Sequence, residues 1–310
     1  MATFYVDDSA TGLDDGTSWA DAYTSISSVS LTAGTSDTVL VANTHDEVVS
    51  GSILSYGNSN APNTIVSVDT STGDYSAGAK FEASQCHVFG GNSFWGFTFA
   101  SSHYGALLEC QDRIIEMHNC HFEPKVGGPH PNYNGAIICR GGSYYFGIAK
   151  LYNCSADFNG SYGGSHGYLL ADKCDVLVDN FDFTYQNQTT PPFKGSSNFT
   201  NNHNQLLVRN TDLSGTTAAV FNDDGGSHTY AIFESCKLSA SQPLISAALA
   251  EPTSQAIAIN CLDGTITDQQ NIYKQEKYQG SLSQVFTHYR ANGANDGAND
   301  FSWKIESNAN

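Results

Sequence analysis

Hydrophobic and polar residues follow a short pattern that recurs along the chain around a central Asn, or around a Gly or Ser in its place. We call the centre of each copy position n, and the centres are residues 96, 119, 153, 180, 210, 235 and 260. Adjacent centres are 23, 34, 27, 30, 25 and 25 residues apart. Because periods of about 20–50 residues are typical of stacked repeats, the pattern indicates a solenoid.

Apolar residues alternate with polar ones on both sides of each centre. Around Asn119, for example, Ile115 and Met117 stand at n−4 and n−2, and Cys120 and Phe122 stand at n+1 and n+3. Alternation by two predicts β-strands, but its phase shifts by one residue at n. Both strands can face one core only if the backbone bends there, and Asn and Gly best tolerate the left-handed conformation that such a bend requires.

These copies predict an all-β fold, a single-stranded right-handed parallel β-helix with regular copies from about residue 80. The copy around Asn260 departs from the pattern, because Ile257 and Ile259 are out of phase and Asp263 would point inward. We therefore expect the regular stack to end there. The predicted organisation is an N-terminal strand and capping helix in residues 1–35, the β-helix in 36–265, and a C-terminal β cap or assembly segment in 266–310.

The predicted N-terminal helix begins at Ser18, because Ser18 and Asp21 have the spacing of a helix-capping pair. We expect the helix to extend toward Ile26. A β-helix exposes strand edges at its ends, and a helix would cover the edge at this end.

Composition and charge exclude several classes of function. Charged residues make up only 14 % of the chain, which suits a solenoid whose turns use Asn, Ser and Thr. The net charge is −18, which argues against nucleic-acid binding and against anionic membranes. No run of apolar residues is long enough to span a bilayer, and the first residues lack the pattern of a secretory signal.

The eight cysteines are predicted to be buried, reduced thiols. Four of them occupy n+1, where side chains of successive coils stack, and we interpret the other four in the same way. Disulfides and a metal site are the alternatives, although the sequence contains no Cys-x-x-Cys pair. Reduced thiols indicate assembly in a reducing cytoplasm. The n+1 residues are Cys120, Cys154, Cys236 and Cys261, and the others are Cys86, Cys110, Cys139 and Cys174.

Two sets of residues suit chemistry on polysaccharides. Hydrolysis requires two carboxylates about 5–10 Å apart, and a lyase requires cationic groups that stabilise an enolate-like intermediate. Outward strand positions and turns also hold Asp simply for solubility, so neither set is assigned a catalytic role. The carboxylate candidates are Asp157, Asp172, Asp175, Asp179 and Asp182, and the arginines are Arg113, Arg140, Arg209 and Arg290.

Two short motifs could hold metal ions. His118 and His121 are the closest histidine pair, but three residues along a strand place side chains on opposite faces, and no third zinc ligand is evident. Asp14-Asp15-Gly16 could contribute to a Ca²⁺ site, but a tight turn is the favoured explanation. We therefore assign no catalytic, cofactor-binding or metal-binding residue and expect no cofactor.

Both ends of the chain resemble known β-helix proteins. The N-terminal segment is similar to that of pectate-lyase-like right-handed β-helix proteins at Tyr5-Val6-Asp7, Gly12, Asp15-Gly16-Thr17-Ser18-Trp19-Ala20 and Ala22-Tyr23. Virion structural proteins of tailed phages combine such a segment with further motifs. The motifs that resemble theirs are Ser36-Asp37-Thr38-Val39-Leu40-Val41-Ala42, His45-Asp46-Glu47, Tyr289-Arg290, Asp296-Gly297 and Ser302-Trp303-Lys304.

This resemblance implies a non-enzymatic virion protein, most closely a capsid decoration (cement) protein that stabilises a phage head. Its expected partners are the major capsid protein or other virion proteins and further copies of itself in a homotrimer, with no nucleic acid or membrane. Residues 123–135 and 186–204 are the loops expected to make these contacts. The alternative is a β-helix protein of a tailspike or fibre that binds or depolymerises polysaccharide.

Overall fold

The computed structural model describes residues 2–31, 36–50, 52–54, 57, 62–102, 105–124, 135–142, 146–158, 167–184, 189–195, 202–223, 227–239, 242–244, 255–263 and 271–276. These residues form an all-β structure of 25 strands arranged in three sheets. The only helical element within those ranges is one turn of 3-10 helix, Ile26–Ser28.

Sheet A is the largest sheet, and its strands pair in parallel except for the last, which is antiparallel to its neighbour. Ten of its strands follow one another up the stack, and two short elements complete it. The ten are β1 (Thr3–Val6), β2 (Thr38–Ala42), β5 (Asn63–Val68), β8 (Asn92–Trp95), β11 (Ile114–His118), β14 (Gly147–Tyr152), β17 (Cys174–Asp179), β20 (Asn202–Arg209), β22 (Ser227–Glu234) and β24 (Gln255–Asp263). The other two are β23 (Lys237–Leu238) and β25 (Asn271–Glu276).

Sheets B and C are shorter, and all the pairings described in them are parallel. Sheet B contains β3 (Asp46–Val48), β6 (Lys80–Ala83), β9 (Thr98–Ser101), β12 (His121–Pro124), β15 (Ser155–Asp157) and β18 (Asp182–Thr184). Sheet C contains β4 (Ser52–Ile53), β7 (Cys86–Phe89), β10 (Ala106–Glu109), β13 (Gly135–Arg140), β16 (Gly167–Asp172), β19 (Phe193–Gly195) and β21 (Phe221–Asp223).

The chain passes through the sheets in the repeating order A, B, C. Strand β11 lies in sheet A, β12 in sheet B and β13 in sheet C, and β14 then returns to sheet A beside β11. Each circuit adds one strand to each sheet, about 4.8 Å above the previous one. This arrangement of long parallel sheets is compatible with the parallel β-helix that the sequence predicts.

The predicted corners are confirmed at all seven centres. Every centre has a left-handed backbone, with φ of 79° at Gly96 and between 51° and 57° at the six others. Each of the six corners from Gly96 to Ser235 joins a strand of sheet A to the next segment of the chain and also donates its backbone N–H to the coil above. The backbone N–H of Asn153, for example, donates to the carbonyl oxygen of Asp179 at 2.9 Å.

The alternation around each corner forms one continuous core. The residues at n−4, n−2, n+1 and n+3 of the copies from Asn119 to Ser235 are buried, as the sequence predicts. Aromatic rings stack inside, with the centroids of Phe99 and Phe122, from successive coils, 5.6 Å apart and those of Phe122 and Phe181, two coils apart, 6.5 Å apart. The core is therefore built from the inward-facing positions n−4, n−2, n+1 and n+3 of stacked copies.

All eight cysteines are free and buried, in agreement with the prediction of interior thiols. The thiols at n+1 are also polar partners of the corner. Cys154 Sγ lies 3.4 Å from the carbonyl oxygen of Met117 in the coil below and 3.4 Å from that of Tyr152. Cys236 makes the same contacts with Val208 and Glu234, at 3.4 and 3.5 Å. The thiol donor, and not only the small size of Cys, therefore suits this position.

The stack begins at β1, which pairs in register with β2, so it includes the N-terminal strand that the sequence places before the β-helix. The copy around Asn260 supplies the last parallel strand, β24, in line with the expectation that the regular stack ends there. Its phase is nevertheless regular, because Ala256 and Ala258 occupy the inner positions opposite Ala231 and Phe233. Ile257 was out of phase only because it points outward. Antiparallel pairing of β25 with β24 then ends the sheet, and the rest of the predicted cap in 266–310 lies outside the described residues.

The predicted N-terminal helix is wrong. Ser18 Oγ does accept a hydrogen bond from the Asp21 backbone N–H at 3.1 Å, but no helix follows. The Asp21 carbonyl instead accepts from the N–H groups of Asp15 and Gly16, which closes a loop. This loop covers the free edge of β1, since the N–H of Tyr5 donates to Gly16 at 3.0 Å and the N–H of Tyr23 donates to Tyr5 at 2.9 Å.

Candidate functional site on the outer face of sheet B

The outer face of sheet B carries a group of polar side chains that stand at the same two positions of successive repeats. His121 and Ser155 both occupy n+2, and Glu123 and Asp157 both occupy n+4. His121 Nδ1 lies 2.8 Å from Ser155 Oγ, and His121 Nε2 lies 3.7 Å from Asp157 Oδ2 and 3.9 Å from Glu123 Oε1. We call these four residues the His121 cluster.

The His121 cluster brings two carboxylates close together. The oxygens of Glu123 and Asp157 approach the same ring nitrogen, so they can be no farther apart than the sum of those two distances. This upper limit is compatible with the roughly 5–10 Å separation that glycoside hydrolysis uses. Lys80 Nζ lies 3.4 Å from Glu123 Oε2, so a lysine also neighbours this carboxylate.

The five carboxylates that the sequence singled out do not form one site. Asp172, Asp175 and Asp182 follow one another around a single coil, so each lies on a different sheet. Asp179 lies on sheet A with Asp175, and only Asp157 and Asp182 share sheet B. The five candidates therefore do not line a common groove.

The arginines are also separated. Arg113 lies at the corner before β11, where its Nε donates to the carbonyl oxygen of Gly57 at 3.0 Å. Arg140 lies on sheet C opposite Asp172, and Arg209 lies on sheet A, 2.6 Å from Asp179. Arg290 is outside the described residues. No cationic site of the kind that a lyase needs is formed by the three arginines that the structure describes.

His118 and His121 lie on different sheets. His118 is stacked between Trp95 and Tyr152, with ring centroids 3.8 and 4.9 Å away. Asp14 and Asp15 are in a turn, where the Asp15 carboxylate accepts from the Thr17 N–H at 3.0 Å. The hydrogen bonds from Thr17 lower the pKa of Asp15. Within the ranges that the structure describes, no three His, Cys, Asp or Glu residues could hold a metal ion.

A second charged cluster lies on the outer face of sheet A. Lys150 Nζ contacts Glu116 Oε1 at 2.7 Å, and His118 Nε2 lies 3.7 Å from Glu116 Oε2. His118 has the largest effect on the pKa of Glu116, burial opposes it, and Lys150 lowers it further, to about 2. Glu116 is therefore ionised over the whole physiological pH range. It lies next to His118 and Lys150.

Sheet C carries a charged column that is largely buried. His87 Nε2 lies 2.6 Å from Glu109 Oε2, and Glu109 is in register with Arg140, which is in register with Asp172. Burial raises the pKa of Glu109, but the hydrogen bonds with His87 and Gln111 outweigh it, so the pKa is below its ordinary value. Asp172 and Lys194 are almost fully buried, so this column is less accessible than the His121 cluster.

Sequence reasoning missed two members of the His121 cluster. It considered Asp157 as a carboxylate and His121 only as a partner of His118, and it did not consider Glu123 or Ser155. The signal was present, because residues at n+2 and n+4 of adjacent copies must be neighbours in a stack. Of the contact loop expected in 123–135, residues 125–134 lie outside the described residues, as do 186–188 and 196–201 of the loop expected in 186–204. The rest of 186–204 includes β19 and the start of β20.

Comparisons of the chain with models of protein families, with curated proteins and with solved structures find no match. Within the described ranges, no helix has the length and apolar character needed to cross a membrane. Arguments about function therefore depend on the residues and contacts of this chain.

Proposed function

We propose that this chain is a non-enzymatic structural protein of a tailed-phage virion, a capsid decoration protein that stabilises the head. Its fold would be a single-stranded right-handed parallel β-helix. The right-handed winding follows because parallel crossover connections are almost always right-handed. The likeness of both ends of the sequence to virion β-helix proteins supports this proposal.

The observation that carries the proposal is the pairing of charged side chains between neighbouring coils. Three such pairs are Glu116 with Lys150 at 2.7 Å, Asp179 with Arg209 at 2.6 Å and Asp212 with Lys237 at 2.9 Å. On sheet C, His87 and Glu109 make a side-chain contact between neighbouring coils at 2.6 Å. Pairing of this kind, added to a continuous core, suits a stiff element that reinforces a shell.

The partners follow from the charge. A net charge of −18 keeps copies soluble before assembly and suits contact with basic patches on the major capsid protein or another virion protein. Threefold positions of a shell present three equivalent surfaces, so we propose a homotrimer in the assembled virion.

The test is rebinding of the purified protein to particles of the encoding phage from which it has been removed. We expect saturable binding at a fixed ratio to the major capsid protein, weaker at high ionic strength because the contact is electrostatic. A variant such as Asn180→Val, which weakens the stack, controls for the need for folded protein. Absence of saturable binding contradicts the proposal.

The second candidate function is action on polysaccharide, and the His121 cluster is the observation that favours it. Its two carboxylates have a spacing that could serve as acid and base in hydrolysis. The test is release of reducing ends from host surface polysaccharide. We expect none. Release that is lost in Glu123→Gln and Asp157→Asn but retained in Asp175→Asn, whose carboxylate lies on sheet A, would favour this alternative.

A further inference from the structure

The outer face of sheet A carries no charged side chains at the N-terminal end of the stack. Strands β1, β2, β5 and β8 are in register there, and their outward residues form two columns. One column is Thr3, Thr38, Thr64 and Ser93, and the other is Tyr5, Leu40, Val66 and Trp95. We call these eight residues the uncharged patch.

The uncharged patch ends where the next coil begins. Glu116 continues the first column, Lys150 follows it, and the second column reaches Asp179 and Arg209 further up the stack. The other outer faces also carry charge, with Lys80 and Glu82 at the level of β6 on sheet B. In a chain with a net charge of −18, eight adjacent outward residues without a charge stand apart from their surroundings.

Seven of the eight side chains of the uncharged patch are at least partly exposed, and Ser93 is buried. Thr3 and Thr64 are exposed, and Tyr5, Leu40 and Val66 are half-buried. Trp95 is held by a hydrogen bond from its indole Nε1 to Ser93 Oγ at 3.0 Å. Because neighbouring strands are about 4.8 Å apart, the four strands extend ~14 Å along the stack.

The chemistry of the patch matches the centre of a protein interface. Interface centres are depleted of charge and enriched in aromatic residues, and the surrounding rim is polar. Trp19 enlarges the aromatic part, since its ring packs edge-on against Tyr5 with centroids 5.0 Å apart. A patch that extends over four strands can form the core of an interface. A whole interface typically buries about 800 Å² of each partner.

We propose that the uncharged patch is the surface through which copies of this chain associate, with the three patches of the proposed homotrimer facing its common axis. Copies that each carry 18 net negative charges repel one another, so the contact requires surfaces that do not place like charges against each other. Among the outer faces that the structure describes, this patch meets that requirement over four adjacent strands. The inference rests on the homo-oligomer of the proposed function and assigns it a surface.

The experiment measures the mass of the purified protein in solution, by light scattering and sedimentation velocity, over concentrations from about 1 to 100 µM. The patch variants are Val66→Glu and Thr64→Glu, and Thr64 is exposed, so its replacement should leave folding intact. The matched control is Thr98→Glu, which adds the same charge to the outer face of sheet B. Circular dichroism and melting temperature check the fold of each variant.

We expect an oligomer for the wild type and for Thr98→Glu, and at least a tenfold weaker association for both patch variants. A monomeric wild type, patch variants that associate like the wild type, or equal weakening by Thr98→Glu would each overturn the assignment. Wild-type protein that stays monomeric but sediments with insoluble cellulose, and loses this in Thr64→Glu, would assign the patch to polysaccharide instead. No phage particles are present, so failure here leaves the shell-binding test of the proposed function unaffected.

Discussion

The side-chain amide of Asn180 donates a hydrogen bond to the side-chain oxygen of Asn153, one coil below, at 2.9 Å. Both residues are corners with left-handed backbones, with φ of 57° and 52°. The same residue type therefore serves two purposes, because it tolerates the bend and also links adjacent coils through its exposed amide. The corner is an element of stability and not only a change of direction.

Replacing Asn180 tests this role. Asn180→Val should destabilise the protein by about 1–3 kcal/mol, because a β-branched side chain is strained in the left-handed region. Asn180→Gly should cost less, about 1 kcal/mol or below, since it loses only an exposed hydrogen bond. Urea denaturation measures both changes in the free energy of unfolding. Equal effects of the two substitutions would mean that backbone strain is not what selects Asn at this corner.

The fold was largely predictable from the sequence because the repeat is local. An Asn corner and the alternating residues beside it lie within about nine residues, so one copy specifies two strands and the next copy specifies their neighbours. The coils before residue 80 show no copy of the repeat because they have no such corner. Val41 and Ser67, at the equivalent positions of β2 and β5, are buried inner residues, so the pattern offered no centre to recognise there.

The site was less predictable than the fold. Residues on one coil, such as Asp172, Asp175 and Asp182, looked close in sequence but face three directions. Glu123 and Asp157 are 34 residues apart and approach the same imidazole. Pairings of this kind become visible only when the copies are aligned on their corners, because the loops between corners vary in length. The N-terminal loop was missed because Asp21 bonds to distant backbone groups instead of starting a helix.

The thiol of Cys236 should be replaceable by another donor but not by an apolar group. Thr211 already takes this position one coil below, where its Oγ1 donates to the carbonyl of Arg209 at 2.8 Å. We expect Cys236→Thr to be nearly neutral. Cys236→Val introduces a side chain with the shape of Thr but without a hydrogen-bond donor, and should cost about 1–3 kcal/mol. Thermal and urea denaturation of the two variants provide the comparison. A more stable Val variant would contradict the role of the thiol as a donor.

Glu116 should make stability depend on pH in the acid range. Its pKa is lowered in the folded protein from 4.5 to about 2, so the unfolded chain binds a proton first as the pH falls. The stabilisation is complete above about pH 4.5 and is lost progressively toward pH 2. Glu116→Gln should remove this part of the dependence, measured by denaturant titration between pH 2.5 and 6. Asp182→Asn, an exposed carboxylate on sheet B, is the control and should leave the slope almost unchanged.

His45 and Glu47 should hold the N-terminal segment against the first coil. The N–H of Asp8 donates to His45 Nδ1 at 3.0 Å, and His45 Nε2 lies 3.1 Å from Glu47 Oε2. Glu47 also accepts from the N–H of Ile26 at 2.8 Å. We expect Glu47→Gln to raise amide hydrogen exchange in residues 8–26 several-fold, because charge-assisted bonds are replaced by weaker ones.

Asp46→Asn is the matched control for this change, since Asp46 is an exposed residue of the same strand. It should leave exchange in residues 8–26 as in the wild type. If Glu47→Gln also had no effect, the hydrogen bonds of Tyr5 and Tyr23 with the loop would be sufficient to hold the segment.

The position and copy number of this chain in particles of its phage test the central proposal most directly. Cryo-electron microscopy of intact particles shows the position, and quantitative mass spectrometry gives the ratio to the major capsid protein. We predict a three-sheet prism of parallel strands on the outer surface of the head, at threefold positions and in a fixed ratio to the capsid protein. Absence of the chain from purified particles, or its presence only as a few copies at the tail tip, would contradict a role as a capsid decoration protein.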